Sequence, residues 1–201
     1  LLTPMPSLFT LPLYRLTFII VLALWATPDV IDSIRRRPRG NNVVFREHGS
    51  HWLFRIGLTL AIATAIWLAL ARPEGTLPYH RPTLFIAGVV VALAGLVLRR
   101  AAVHALGRFF TVDVATYTDQ RVVDAPPYRR IRHPSYSGSM LSLVGTGLML
   151  GHWLGLLLIA LASIVTFGYR VRLEERALLA ALGEPYAAYM RRTKRFVPFL
   201  F

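Results

Sequence analysis

Residues Arg129-Arg130-Ile131-Arg132-His133-Pro134-Ser135-Tyr136-Ser137-Gly138 close a cationic linker and open an apolar hairpin. Its two apolar stretches, 136–150 and 153–168, are separated only by Gly151-His152. Beyond it come Arg170-Val171-Arg172-Leu173-Glu174-Glu175, then Gly183-Glu184-Pro185-Tyr186 and Tyr189. Charged and hydrogen-bonding side chains thus bracket a segment otherwise suited to lipid. A bilayer protein gathers such groups at one level where they are solvated there or act there. These two boundaries are where chemistry is expected.

Working outward, three more apolar stretches precede the hairpin, at 8–27, 52–71 and 83–98. The 201-residue chain is 55% hydrophobic, and its mean hydropathy of +0.50 is that of a membrane protein. A helix needs about 20 residues to cross a ~30 Å hydrocarbon layer. The first two stretches reach that length, and the last three need flanking turns, bilayer thinning or anchoring side chains. The expected fold is all-α and integral to the membrane: five transmembrane helices, a C-terminal helical hairpin, and a cytoplasmic cofactor-binding linker and tail. It forms a single membrane domain over 1–201, with three N-terminal spans in 1–98 and the linker, hairpin and tail in 99–201. Gly138, Ser142, Gly145, Gly147, Gly151 and Gly155 are expected on the inner face of the hairpin, where small side chains let backbones approach.

The formal net charge of +13 would suggest nucleic acid in a soluble chain. Here the basic residues fall between apolar stretches instead of along one amphipathic face, so membrane topology explains them and no nucleic-acid partner is expected. Arg35, Arg36, Arg37, Arg39 and Arg46 lie between the first two stretches. Arg99, Arg100, Arg108, Arg121, Arg129, Arg130 and Arg132 lie between the third and fourth. Arg170, Arg172, Arg176, Arg191, Arg192, Lys194 and Arg195 follow the fifth. The opposite side holds only Arg72 and Arg81, while Arg15 and Arg55 sit near span ends where they can snorkel. The positive-inside rule then places the N-terminus outside and the C-terminus in the cytoplasm. The start, Leu1-Leu2-Thr3-Pro4-Met5-Pro6, lacks the cationic region of a cleavable signal peptide. Without cysteine there is no disulfide, thiolate nucleophile or Cys-ligated zinc, and no His/carboxylate spacing suits another metal.

Locally, residues 169–181 are rich in helix formers, and Arg170 and Glu174, four apart, share a face. Glu175 lies three residues from Arg172, the spacing of a second surface ion pair. Gly183 stops this helix and Glu184-Pro185 restarts a turn. Tyr186 and Tyr189 then share a face, as interfacial anchors do. Residues 191–195 read as an anionic-lipid contact. Pro134 suits a first helical turn, which leaves His133 beside free helix-end amides where it can meet a polar ligand.

An Arg-His-Pro-Ser-Tyr-x-Gly lead-in, a short helical hairpin, an Arg-x-x-x-Glu-Glu helix and a Gly-Glu-x-Tyr-x-x-Tyr tail together resemble the isoprenylcysteine carboxyl methyltransferase family. The resemblance covers roughly residues 105–199 and includes Leu106-Gly107-Arg108-Phe109-Phe110. It implies S-adenosylmethionine as methyl donor, held by the cytoplasmic linker and tail. No Gly-x-Gly-x-x-Gly motif of a Rossmann fold is present. Carried onto this sequence, it assigns cofactor contacts to Gln120, Arg121, Val122, Val123, Tyr128, His133, Pro134, Ser135, Tyr136 and Glu174. Arg170 would be the catalytic residue that holds the substrate carboxylate. Asp113 stands where the family can present a neutral amide.

The expected activity is methyl transfer to a lipophilic small-molecule or prenylated acceptor among membrane lipids, most simply O-methylation of an isoprenylcysteine-like carboxylate. Phospholipid N-methylation or thiol S-methylation on the same scaffold is the first alternative, and both acceptors can call for a base. A sterol-type membrane reductase is the second, and a non-enzymatic membrane scaffold the third.

Overall fold

The computed structural model describes residues 11–35, 43–46, 50–77 and 81–197. Residues 8–10 of the first apolar stretch, Arg36, Arg37, Arg39 and the Pro198-Phe199 end of the tail lie outside these. The order of elements is α1 (Pro12–Arg35), β1 (Val43–Arg46), α2 (Ser50–Ala71), α3 (Arg81–Leu106), β2 (Ala115–Tyr117), α4 (Pro134–Leu150), α5 (Trp153–Leu182) and α6 (Glu184–Arg192). All five apolar stretches are helical. Among the described residues three helices, over Pro12–Asp32, Pro82–Phe109 and Trp153–Leu182, are long and apolar enough to cross a membrane. α2 offers a shorter apolar length, Arg55–Ala71, and α4 has 17 residues, about 25 Å at 1.5 Å per residue. The chain is therefore an all-helical integral membrane protein apart from one short antiparallel pair, β1–β2, which the sequence did not announce.

Helix ends differ from the expected ones in an instructive way. α1 runs through Pro28, where the apolar stretch ended. α3 carries on past the expected limit at 98 to Leu106, through Arg99 and Arg100. The fifth span and the charged helix after it are one continuous helix of 30 residues, about 45 Å long. That exceeds the ~30 Å hydrocarbon layer by about 15 Å, the length of the last ten residues, which carry Glu174 and Glu175, with Arg170 one turn before them.

The small residues of α4 do their work elsewhere than on the hairpin seam. A Cβ added at Gly138 would lie 2.6 Å from the Gly95 carbonyl oxygen, and one at Gly95 would lie 2.5 Å from the Gly138 carbonyl. A Cβ at Gly88 would meet the Gly145 carbonyl at 2.7 Å, and Ser142 Oγ donates to the Ala92 carbonyl at 3.0 Å. The seven-residue spacing of Gly88/Gly95 thus meets that of Gly145/Gly138, and α3 and α4 pack antiparallel with backbones in contact. Gly155 faces Ala65 of α2. Of the predicted hairpin set, only Gly147, against Leu156, separates α4 from α5.

Gly151 turns the hairpin in the left-handed region, φ 64°. His152 Nδ1 accepts from the Gly155 amide at 3.3 Å, satisfying a free helix-end donor. The turn also docks on the α2–α3 connection, with the Leu77 amide donating to the Gly151 carbonyl at 2.8 Å. At the other level Arg100 reaches Asp32 at 3.5 Å and ties α3 to α1. Both ends of the helix layer are fixed, so the linker and α6 gather at one level.

Gly145→Ala is expected to lower stability by about 1–3 kcal/mol, because its methyl group would press on the α3 backbone at Ala92. Gly168→Ala, where a Cβ meets nothing within 4 Å, is expected to be neutral or to add up to ~1 kcal/mol. Thermal unfolding in detergent compares the two; equal effects would contradict the α3–α4 seam.

Candidate active site

The linker, α5 and the tail are joined around one carboxylate. Glu175 is 5% exposed and accepts from Arg132 Nε at 2.9 Å and from Arg195 Nη2 at 2.8 Å. His133 Nε2 lies 3.4 Å from the same group. Arg132 also donates to the carbonyls of Met190 and Thr193, and backbone hydrogen bonds join Arg132 to Lys194 and His133 to Arg195. The local spacing to Arg172 is thus not what Glu175 uses: Arg172 is exposed, while Glu175 is buried and takes its partners from the linker and tail. A buried carboxylate demands such partners, because stripping it of water costs several kcal/mol.

The tail's cations are absorbed in the same way. Arg191 pairs with Glu184 at 2.5 Å, Arg192 with Asp124 at 2.7 Å, and Arg195 with Glu175. Arg192 and Arg195 thus clasp the tail to the linker and to α5. Tyr186 and Tyr189 point inward too, with ring centroids 5.9 Å apart, and the Tyr189 hydroxyl donates to the Tyr128 carbonyl at 2.7 Å. Burial raises both phenols well above the ordinary value; the nearby charges of Glu174 and Glu175 add to this for Tyr186, and that of Asp124 for Tyr189. They stay neutral donors and do not anchor at the interface.

A second junction is built on Tyr136, in the first turn of α4. Its hydroxyl donates to Glu174 Oε2 at 2.7 Å and accepts from Arg170 Nε at 2.8 Å. Arg170, 6% exposed, also donates through Nη2 to the Val112 carbonyl. The expected i,i+4 pair is thus bridged by a phenol. His133 stacks on the Tyr136 ring (centroids 5.7 Å apart, planes 16° apart), and its Nδ1 lies 4.0 Å from Glu174. Phe167 supports the ring from α5 at 5.4 Å.

Two cavities meet at this wall. One is a cleft between the linker and α5, about 610 Å³ with the open space at its mouth included, whose wall carries Asp113, Gln120, His133 and Glu174. The other is an apolar cavity of about 570 Å³ among the helices, walled by Trp25, Phe110, Val112 and Phe167. Tyr136, Phe110 and Thr111 line both. Glu174 faces the cleft and Arg170 the apolar cavity.

Of the sequence-predicted cofactor residues, Gln120, Tyr128, His133, Ser135, Tyr136 and Glu174 line the cleft. Four do not. Pro134 is buried in the helix start, and Val122 and Val123 are half-buried behind it. Arg121 is exposed, with its guanidinium carbon 6.0 Å from the centre of the Phe109 ring, which does line the cleft. Asp113 lines it as well. Sequence reasoning left out Thr116, Arg132 and Phe109, although Phe109 stood in the quoted Leu106–Phe110 motif. Thr116 Oγ1, Gln120 Oε1 and the Tyr128 hydroxyl are buried without a hydrogen-bond partner. Three such atoms on a cleft wall are the signature of a polar ligand's place. The phenol of Tyr128 is pushed up by burial and by the Glu174 charge. Among the described residues no cluster of three or more His, Asp or Glu is placed to hold a metal ion.

Residues 87–180, which supply α4, α5 and most of the cleft, match a family model. The resemblance is to the isoprenylcysteine carboxyl methyltransferase (ICMT) family. Curated relatives bear the same name. Protein-S-isoprenylcysteine O-methyltransferase B of Arabidopsis thaliana is 31% identical over 115 residues, covering 56% of this chain and 58% of that one. The probable enzyme of Oryza sativa subsp. indica is 34% identical over 115 residues, covering 56% and 60%. The match thus spans about three fifths of those relatives' length. A solved structure of the eukaryotic intramembrane Ras methyltransferase ICMT superposes with a TM-score of 0.65 at 22% identity, covering 94% of this chain and 68% of that one. The ICMT fold therefore extends over the N-terminal helices, where the family model does not reach.

Glu175→Gln is expected to destabilise the protein by about 3 kcal/mol, since Arg132 would be left at a buried site without its counter-charge, while the more exposed Arg195 can turn to solvent. Denaturation in detergent measures the loss, and limited proteolysis should show earlier cleavage in the linker. A loss below about 1 kcal/mol, the range of an exposed pair, would contradict the buried clasp.

Proposed function

We propose that the protein transfers a methyl group from S-adenosylmethionine to the carboxylate of a lipid-bearing acceptor such as an isoprenylcysteine. The observation that carries this reading is the pair of cavities on either side of Tyr136, one with Asp113 and Glu174 on its wall, the other mostly apolar and among helices. A water-soluble donor and a lipid-soluble acceptor need such a division.

The cleft fits the donor. It presents two carboxylates, Asp113 and Glu174, to a molecule with a sulfonium and an ammonium. Asp113, where the family can have a neutral amide, adds a charge of the required sign. The orphaned Gln120 and Thr116 oxygens offer acceptors for ribose or adenine donors. His133 and Tyr136 present stacked aromatic faces that favour a cation. Gln120, Tyr128, His133, Ser135, Tyr136 and Glu174 would hold the donor directly. Arg121, Val122, Val123 and Pro134 would shape the cleft from behind.

The bound donor supplies an electrophilic methyl carbon. An acceptor carboxylate oxygen forms the new C–O bond as the C–S bond breaks and its electron pair moves to sulfur. A carboxylate is ionised at neutral pH, so no general base is needed. The chain's contribution is alignment and exclusion of water. Arg170 holds the acceptor oxygen's charge on the apolar side. Tyr136, fixed by Arg170 and Glu174, keeps the two ligands at one wall. In the membrane we place five crossings with the N-terminus outside, which puts the cleft in the cytoplasm where the basic residues gather.

Calorimetric titration with S-adenosylmethionine in nanodiscs tests the reading. Heat and thermal stabilisation are expected. Neither at about 1 mM donor would contradict it, since even millimolar affinity amounts to about 4 kcal/mol. Glu174→Gln is expected to weaken donor binding about tenfold or more, by removal of one opposite charge. Arg170→Lys should retain donor affinity and slow methyl transfer about 10²-fold, because an ammonium cannot reproduce the guanidinium's fixed fork. Wild-type transfer in Arg170→Lys would overturn its role.

A further inference from the structure

The C-terminal part of α5 carries two arginines that the candidate site does not use. Arg172 and Arg176 are four residues apart, so they share one face of the helix, and both are exposed. The ion pairs of this region, Arg132 and Arg195 with Glu175, Arg192 with Asp124 and Arg191 with Glu184, leave both of them out. The carboxylates of their own helix are committed elsewhere, Glu174 to the Tyr136 hydroxyl and Glu175 to the linker and tail. Like charges four residues apart repel each other, so the pair gains from an anion placed between them.

Their height along the helix says what they face. α5 begins at Trp153, which is 53% exposed, as an interfacial anchor is. At 1.5 Å per residue, Arg172 lies about 28 Å along the axis from Trp153 and Arg176 about 34 Å. The hydrocarbon layer is ~30 Å thick, so the pair straddles its far edge, at the level of lipid phosphates. The same face runs back into lipid. At 100° per residue, the exposed Leu161 and Val165 stand within about 20° of Arg172 around the helix. Gly168, one turn before Arg172, presents no side chain, and a Cβ there would meet nothing within 4 Å. Apolar surface, bare backbone and two cations thus follow one another along a single stripe, in the order of a phospholipid's chains, glycerol and phosphate.

We infer that Arg172 and Arg176 bind the phosphate of an anionic phospholipid, in the leaflet on the side of the linker and tail, with its chains along Val165 and Leu161. Charge complementarity selects the headgroup, because a zwitterionic lipid brings its own cation to the same level. The apolar part of the stripe selects a lipid over a soluble anion. α5 is also the helix that carries Arg170 and Glu174, so a lipid held here fixes the depth at which those side chains lie. The inference needs only that α5 crosses the membrane and is independent of the methyl-transfer reading.

Native mass spectrometry of the full chain in detergent counts bound lipids directly. Dioleoyl phosphatidylglycerol and dioleoyl phosphatidylcholine are titrated separately, without methyl donor or acceptor. The first phosphatidylglycerol is expected to bind about tenfold or more tightly than the first phosphatidylcholine. Arg172→Gln and Arg176→Gln should each weaken it about fivefold, and the double substitution should bring the ratio to about twofold or less. Arg72→Gln removes an exposed arginine at the other end of the helix layer and should leave the ratio unchanged. Equal affinity of the two lipids for the wild-type protein would overturn the inference without recourse to any variant. So would a preference that survives the double substitution, or one that falls as far in Arg72→Gln. Glycerol 3-phosphate, which has the phosphate but no chains, should not bind at concentrations that saturate the lipid. Binding of equal strength would assign the face to a soluble anion, and tighter binding of hexaglutamate than of phosphatidylglycerol would assign it to an acidic protein segment; either result contradicts the lipid site.

Discussion

Glu175 is a carboxylate buried on a helix otherwise suited to lipid, and the linker and tail are arranged to satisfy it. An unpaired carboxylate there would be untenable. Its partners cannot come from α5 itself, whose nearby Arg172 faces solvent. They come from Arg132 and His133 at the end of the linker and from Arg195 at the end of the tail. Two chain segments separated by the whole hairpin are thereby fixed against one helix. With Arg132 and His133 pinned, α4 must begin where it does, and Tyr136 is delivered to the face of α5 that carries Arg170 and Glu174.

That delivery creates the wall on which the proposed chemistry depends. Tyr136 hydrogen-bonds to an arginine on one side and a glutamate on the other, and its ring is held between His133 and Phe167. The polar cleft carries the two carboxylates Asp113 and Glu174, and the apolar cavity lies among helices. The close α3–α4 seam underlies both, since Gly88, Gly95, Gly138 and Gly145 let α4 lie directly against the helix that carries Arg99. In the proposed reading one phenol stands between a water-soluble ligand and a membrane-soluble one. Reaction across it is a matter of alignment, as expected for an acceptor that arrives already ionised.

Much of this was legible in the chain. The apolar stretches, the Gly151-His152 turn, Pro134 at a helix start and the break at Gly183 follow from local rules, and each is where those rules put it. Arg170 and Glu174 could be put on one face by spacing alone. What local rules do not carry is the identity of a distant partner. The spacing of small residues along α4 marks a face for close approach but cannot say that α3, not α5, occupies it. For the same reason Glu175 looked like a partner for Arg172, because its true partners Arg195 and Arg132 lie 20 and 43 residues away. The orphaned oxygens of Thr116 and Gln120 are likewise products of the fold.

The two-sided site is tested most directly by filling one side. Val112 lines the apolar cavity but not the cleft, on a segment outside the helices. In Val112→Trp, calorimetric affinity for S-adenosylmethionine should stay within about twofold of wild type while methyl transfer to a lipid acceptor falls by about tenfold or more. A parallel loss of donor affinity and transfer would mean that the two cavities act as one, and would contradict a donor and an acceptor housed on opposite sides of Tyr136.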